Sequence, residues 1–403
     1  MQSRRPWMAT GCFYGVLISL ILVLTGCAQE TTQLDDELQN AMTKLCQEQR
    51  LPAMWAGCFV DGKIPALSAT GVLKVDTQDE AKIDDRVHLG SCTKAMTAAM
   101  IGQLCTEGKL QLDSSLHEVF PELQSLESSE WGKVTVLELL QHRSGAPANV
   151  LYPLLDQEFP NRPDLARRKL LEQIASTKRP RVPTYLYSNV GYILLGHVIE
   201  SIDKRPWEEA IQERLFRPLE IESAGFGPVG QPDDGPTKQI LPSRAWGHVE
   251  APSLVDMASH LLGITESRKL QPVQVDNSPC LSPAGRVHMN MMDWSKFTIQ
   301  FAKEDGYAAL KIAPDVWETM LKPPPDSKSE SAYAAGWIAL ENPQFHGKLY
   351  FHNGSNGSWY CYAVAIPSKK ATILVATNYY SNGARKACDQ MARKIAATLT
   401  NVP

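Results

Sequence analysis

Ser91 and Lys94 are a pair whose types and spacing could do chemistry. They stand in the run His88-Leu89-Gly90-Ser91-Cys92-Thr93-Lys94-Ala95-Met96-Thr97-Ala98-Ala99-Met100, where a lysine follows a serine by three residues at the mouth of an almost wholly apolar segment. Positions i and i+3 of a helix share one face, about 5–6 Å apart at Cβ, so a helix starting near Ser91 sets the amine against the hydroxyl. A serine hydroxyl is a poor nucleophile until a base takes its proton, and a lysine does this only when partly neutral. Burial beside Ala95, Met96 and Ala98 supplies that condition, because apolar surroundings disfavour the charged amine. The start of the helix adds backbone N–H groups that face an incoming oxyanion. Taken alone, the pair reads equally well as a capping serine and a lysine reaching for solvent.

Two further stretches complete a constellation. Tyr187-Ser188-Asn189 lies inside Thr184-Tyr185-Leu186-Tyr187-Ser188-Asn189-Val190-Gly191-Tyr192 and offers Tyr187 as a second proton carrier for a leaving group. His352-Asn353-Gly354-Ser355 falls between two strand-like runs. Each stretch is common by itself, and their conjunction in this order is far more specific. Cys92 beside the serine invites a cysteine-nucleophile reading, but no histidine partner is implied and it points to a different helical face.

These residues need elements to position them. Leu34, Leu38, Ala41, Met42 and Leu45 recur at helical spacing, and Met54–Val60 and Ala66–Leu73 read as a hairpin around Asp61-Gly62-Lys63. The segment Ala95–Cys105 is apolar nearly all round and stops at Gly108, which predicts a helix buried on every side. Short helices follow at Val136–Leu140, Leu170–Ile174 and Tyr192–Ile202. After Gly285 the early pattern returns in mirror order: helix over Asp293–Phe301, strands over Leu349–Phe351, Ser358–Ile366 and Thr372–Asn378, and a last helix over Ala384–Leu399. The economical solution is an α+β fold, with one antiparallel sheet assembled from both chain ends (about 34–105 and 285–401), flanking helices, and an inserted mostly helical region (about 106–284).

On these motifs the chain resembles the serine β-lactamase-related hydrolases, the group of class C β-lactamases, D-alanyl carboxypeptidases and bacterial esterases. Thr135-Val136-Leu137-Glu138-Leu139-Leu140-Gln141-His142-Arg143-Ser144-Gly145 resembles that family's "TxxxLLxHxSG" segment, and Ser282-Pro283-Ala284-Gly285, Asp293, Ala335-Gly336-Trp337 and Asn378 look like further landmarks. The resemblance runs from about Leu34 to Leu399 and implies a β-lactamase/transpeptidase-like catalytic domain over 34–401. It implies Ser91 as the acylated nucleophile, Lys94 as its activating partner and Tyr187 as proton shuttle. The N–H groups of Ser91 and Ser355 would form the oxyanion hole, and Asn189, His352 and Gly354 would meet substrate. The chain departs from the group at His352, where the β-lactamases and carboxypeptidases usually carry a lysine for the substrate carboxylate. Imidazole is not a permanent cation at neutral pH. This puts an ester or small amide or peptide substrate ahead of a β-lactam, with a true β-lactamase or carboxypeptidase, or a non-catalytic binding lipoprotein, as alternatives.

Composition bounds the rest. A chain of 403 residues, 43% hydrophobic and with a net charge of −4, can bury a large core and carries no basic footprint for nucleic acid. Arg4-Arg5, the apolar run Phe13–Leu24 and Leu24-Thr25-Gly26-Cys27 read as a secretory signal (1–27) ending in a lipobox, with Cys27 lipidated and 28–33 a tether. An uncleaved anchor is the competing reading, although the run is shorter than the ~20 residues a spanning helix needs. Both place the catalytic part outside the cytoplasm, on the cell envelope. Seven cysteines remain beyond Cys12 and Cys27, with no zinc spacing, and Cys46 with Cys388 is the one pairing suggested, against two reduced buried thiols. Neither metal nor cofactor is expected: Gly225–Gly230 fits GxGxxG, but Pro228 and the following Pro232-Asp233-Asp234-Gly235 forbid the helix a dinucleotide site needs.

Overall fold

The predicted hairpin forms β1 (Ala53–Val60) and β2 (Lys63–Gly71), turning through Asp61 and Gly62, both at positive φ. This computed structural model describes residues 36–180, 185–230, 245–250, 269–325, 327 and 331–400. From the far end of the chain come β3 (Ser331–Ala334), β4 (Trp337–Asn342), β5 (Gly347–Ser355), β6 (Tyr360–Ile366) and β7 (Ala371–Thr377). Together they build a seven-stranded antiparallel sheet in the order β2-β1-β7-β6-β5-β4-β3. The chain ends therefore meet at β1 and β7, with Trp55 opposite Ala376.

Helix α1 (36–49) is the first described element, and α2 (Thr93–Thr106), α3 (Val136–Leu140), α4 (Pro163–Ala175), α5 (Asn189–Asp203) and α6 (Asn382–Thr400) follow it among others. Leu38, Met42 and Cys46 of α1 and Ala387, Cys388, Met391 and Ile395 of α6 cover one face of the sheet, meeting Met54, Ala56, Ile373 and Val375. The alternate residues Trp55, Phe59, Leu374 and Ala376 point to the other face and join the core around α2. With both faces covered, β7 is buried at every residue and reads as a continuous apolar run instead of an alternating one. Every residue of α2 from Thr93 to Leu104 is buried, as an all-round apolar helix requires.

The strands β3 and β4 carried no usable alternation and went unpredicted; they form the sheet edge through a turn at Gly336, whose positive φ and contact with the Ala95 backbone leave no room for a side chain. A second small sheet joins Val87–His88, Val287–Met289 and Gly225–Phe226, so the GxGxxG stretch starts as a strand pairing beside the serine motif. Cys46 and Cys388 are both buried free thiols in one cluster, so the suggested pairing is not formed here. Residues 1–35, which carry the predicted signal, Cys27 and the tether, lie outside the described residues, as does Pro232-Asp233-Asp234-Gly235.

The helical region is fastened by a buried charge cluster. Arg167 of α4 donates from Nε to Glu200 Oε1 of α5 at 2.9 Å, from Nη2 to Glu208 Oε2 at 2.8 Å, and from Nη1 to the Pro279 carbonyl at 3.1 Å. Its side chain is fully buried. Removing the cation strands two carboxylates away from water, so Arg167→Met is expected to cost ~3–5 kcal/mol of stability by denaturant titration.

Candidate active site

Ser91 sits in a single 3-10 turn, Gly90–Cys92, that runs directly into α2. The arrangement makes i and i+3 neighbours: Lys94 Nζ stands 3.2 Å from Ser91 Oγ. Two shorter contacts, both 2.7 Å, go from Nζ to Asn189 Oδ1 and to the Ala284 carbonyl. A neutral amine has two N–H bonds and one lone pair. With the two close acceptors taking the N–H bonds, the lone pair is left for the Ser91 hydroxyl. Lys94 is fully buried, and that burial pushes its amine down from an ordinary 10.5 to about 7. A base with that value is substantially unprotonated at neutral pH.

Tyr187 lies on the other side of the hydroxyl. Its ring centroid is 4.9 Å from Lys94 Nζ, and Ser91 is the polar neighbour that favours its ionised form. Burial pushes the phenol above its ordinary value, and Ser91 opposes this only in part. Tyr187 therefore stays a neutral O–H, suited to relaying a proton, while Lys94 is the group suited to accept one.

The residues around Tyr187 are held by His142, from the segment "LLxHxSG" resembles. His142 Nδ1 accepts the Ser188 N–H at 3.1 Å, and its carbonyl accepts the Leu186 N–H at 3.0 Å, so it brackets Tyr187 on both sides. Burial, then the nearby Lys94 and His352 charges, hold its imidazole well below the usual range. It is a neutral acceptor rather than a proton carrier. Ser188 caps α5 by accepting the Gly191 N–H, which puts Asn189 in the first turn. Asn189 spends Oδ1 on Lys94 and donates from Nδ2 to Asn149 Oδ1 at 2.8 Å. In this structure it orients the lysine and extends toward exposed Asn149.

The end of β5 closes the site. A Cβ on Gly354 would fall 1.9 Å from the Leu89 carbonyl oxygen and 2.9 Å from Ser91 N, and one on Gly90, at φ +46°, would fall 2.2 Å from Ser355 N. Two backbones thus touch with no side chain between them, which sets the backbone nitrogens of Ser91 and Ser355 beside one contact. Gly354 is buried, and its part is to permit this approach. His352 is buried at 3% exposure. Its Nδ1 meets the Asn353 carbonyl at 2.6 Å and its Nε2 meets the Tyr333 hydroxyl at 3.0 Å. Both ring nitrogens are engaged, and the ring lies against Tyr187 at a centroid distance of 6.3 Å, while the next residue, Asn353, is the exposed one.

Sequence reasoning missed Tyr333, because nothing in its own strand marks it; its partners are His352, and His142 at a ring-centroid distance of 4.3 Å. Ala284 was visible only as part of a landmark, and its carbonyl turns out to hold Lys94, while the neighbouring Pro283 carbonyl accepts from Thr97 of α2. Cys92 faces away from the site, its sulfur 3.7 Å from Cys361 and 3.6 Å from the His352 carbonyl.

The serine, its lysine and the backbone pocket are joined across both halves of the fold, and the comparison with known proteins covers the same span. The Beta-lactamase family model matches residues 34–397. The chain belongs to this family. Penicillin-binding protein 4 of Amycolatopsis lactamdurans is 24% identical over 84% of each chain. A putative D-alanyl-D-alanine carboxypeptidase of Escherichia coli is 30% identical over 51% of each. Among solved structures, a β-lactamase from Sulfitobacter sp. EE-36 superposes with a TM-score of 0.70 at 19% identity, covering 91% of this chain and 99% of its own, which shows the shared fold. As a member of the Beta-lactamase family the chain is a hydrolase of the serine β-lactamase and penicillin-binding-protein type.

Proposed function

We propose that this family member hydrolyses an ester or a small amide or peptide through an acyl-enzyme at Ser91, and that β-lactams are not its main substrates. The observation that carries the catalytic part is the buried Lys94 amine, its two N–H bonds held by Asn189 and Ala284 and its remaining side turned to Ser91. Lys94 takes the hydroxyl proton as Oγ attacks the carbonyl carbon. The carbonyl oxygen becomes an anion between the N–H groups of Ser91 and Ser355. Tyr187 passes a proton to the departing alcohol or amine, and water then adds to the acyl carbon and releases the acid, restoring Ser91. Preference for a substrate without an obligatory carboxylate follows from His352, whose ring is buried and committed to Tyr333 where a lysine ammonium would otherwise stand. The predicted lipobox supports envelope anchoring through Cys27 as part of the same proposal.

The test is hydrolysis of a short-chain nitrophenyl ester and of a chromogenic cephalosporin by residues 28–403, with Ser91→Ala as control. Ester turnover that disappears in the variant, with little cephalosporin turnover, supports the reading. Dominant cephalosporin turnover would make the chain a true β-lactamase, and no Ser91-dependent turnover or labelling would leave a binding protein. His352→Lys is expected to lower ester turnover and shift preference toward carboxylate-bearing substrates. An unchanged substrate profile would mean that position 352 takes no part in selection.

A further inference from the structure

Behind the oxyanion pocket lies a buried carboxylate that the reaction above does not use. Asp276 precedes the Pro279–Gly285 segment, and its side chain is 2% exposed. Four groups converge on it. Asn356 Nδ2 donates to Oδ1 at 3.1 Å, and the Asn277 N–H donates to Oδ1 at 2.7 Å. Arg286 Nε donates to Oδ2 at 3.3 Å. His88 Nε2 lies 2.8 Å from Oδ1, a close contact off the ring N–H axis. His88 in turn accepts the Gly90 N–H on Nδ1 at 3.0 Å, which places its ring hydrogen on the Asp276 side.

The two arms of this cluster each end one residue away from a donor of the proposed oxyanion pocket. One arm runs from Asp276 through His88 to Gly90, the residue before Ser91. The other runs through Asn356, the residue after Ser355. Asn356 also accepts the N–H groups of Ser358 and Trp359 on Oδ1, so its amide oxygen shapes the turn while its amide nitrogen faces Asp276. Gly90 and Gly354 put no side chain between the backbones, and the contacts that tie the turn to the strands here are the weak sulfur ones, Cys361 to the Leu89 carbonyl at 3.1 Å and Cys92 to the His352 carbonyl at 3.6 Å. Oxyanion donors act only within about 2.7–3.1 Å of the developing anion, and a misplacement of ~1 Å costs on the order of 10²-fold in rate.

We propose that Asp276 is a positioning residue for the oxyanion hole, its carboxylate holding the turn that carries Ser91 and the strand end that carries Ser355 in register. This rests on the acyl-enzyme reading. The assignment separates two jobs, since Asp276 touches no reacting atom and acts through His88 and Asn356.

Asn356→Asp tests it, because the substitution keeps the turn-shaping oxygen, removes the donor to Asp276 and sets two carboxylates against each other. The measurements are kcat/KM for the nitrophenyl ester, the inhibition constant of phenylboronic acid as a tetrahedral mimic, and the melting temperature. The expected result is a loss of about tenfold or more in kcat/KM with a matching loss of boronate affinity. Asp276→Asn added to Asn356→Asp restores a donor and acceptor in reversed roles and is expected to recover most of both. Asp276→Asn alone, with His88 and Arg286 left facing a neutral amide, serves if the first variant does not fold. Wild-type kcat/KM in the folded single variants, a rate loss without boronate loss, or a double variant no better than either single one would overturn the proposal. Wild-type protein with no Ser91-dependent turnover or boronate binding would instead overturn the reading it rests on.

Discussion

Ser91→Ala is expected to lower ester turnover by at least ~10³-fold while the melting curve stays close to that of the wild type. The side chain is partly buried and its hydroxyl is partner to Lys94, next to Tyr187, rather than to the core, so its loss opens no large cavity. The residual rate would come from the backbone N–H groups, which the substitution leaves in place. Unchanged activity in the variant would move the nucleophile elsewhere. Collapse of the fold would mean that Ser91 is structural.

Lys94→Ala is expected to cost at least ~10²-fold in kcat/KM, the usual effect of losing a positioned base, and to change the pH profile as well. Burial holds the amine at about 7, and only the neutral form accepts the Ser91 proton. Wild-type kcat/KM should therefore rise with pH through about 7 and level off above it, and the variant should lose that inflection. The same shift governs stability with a definite sign. A lysine lowered from 10.5 to about 7 on folding is protonated in the unfolded chain and neutral in the folded one between those values, so stability contributed by this site rises with pH across that window. A pH profile that is flat around 7, or identical in the variant, would contradict the role given to Lys94.

What could be read in the sequence was local. Ser91 and Lys94 are three residues apart, so helix geometry alone brought them together, and the all-round apolar character of α2 gave the burial that tunes the amine. The hairpin β1–β2, α3 and α6 were legible because each carries its own period. Tyr187 and Asn189 were legible only as a motif, since nothing nearby in the chain says that His142, more than 40 residues earlier, grips the flanking backbone. The edge strands β3 and β4 were hidden by their shortness and by the turn at Gly336. Tyr333 and Asp276 were invisible, and Ala284 was visible only as part of a landmark, for a different reason: they act through polar contacts with partners far away in the chain, and such contacts leave no periodicity behind. His352 shows both sides of this. Its place in the third motif was visible, whereas its commitment to Tyr333 came only from the fold.

The account's central claim is a covalent intermediate on Ser91, and mapping that bond tests it most directly. Wild-type protein would be quenched in acid during turnover of a slowly hydrolysed aryl ester and its peptides analysed by mass. An acyl group on Ser91, absent in Ser91→Ala and scarce in Lys94→Ala, is the predicted result. An acyl group on neighbouring Cys92, or steady turnover with no adduct on either residue, would contradict it.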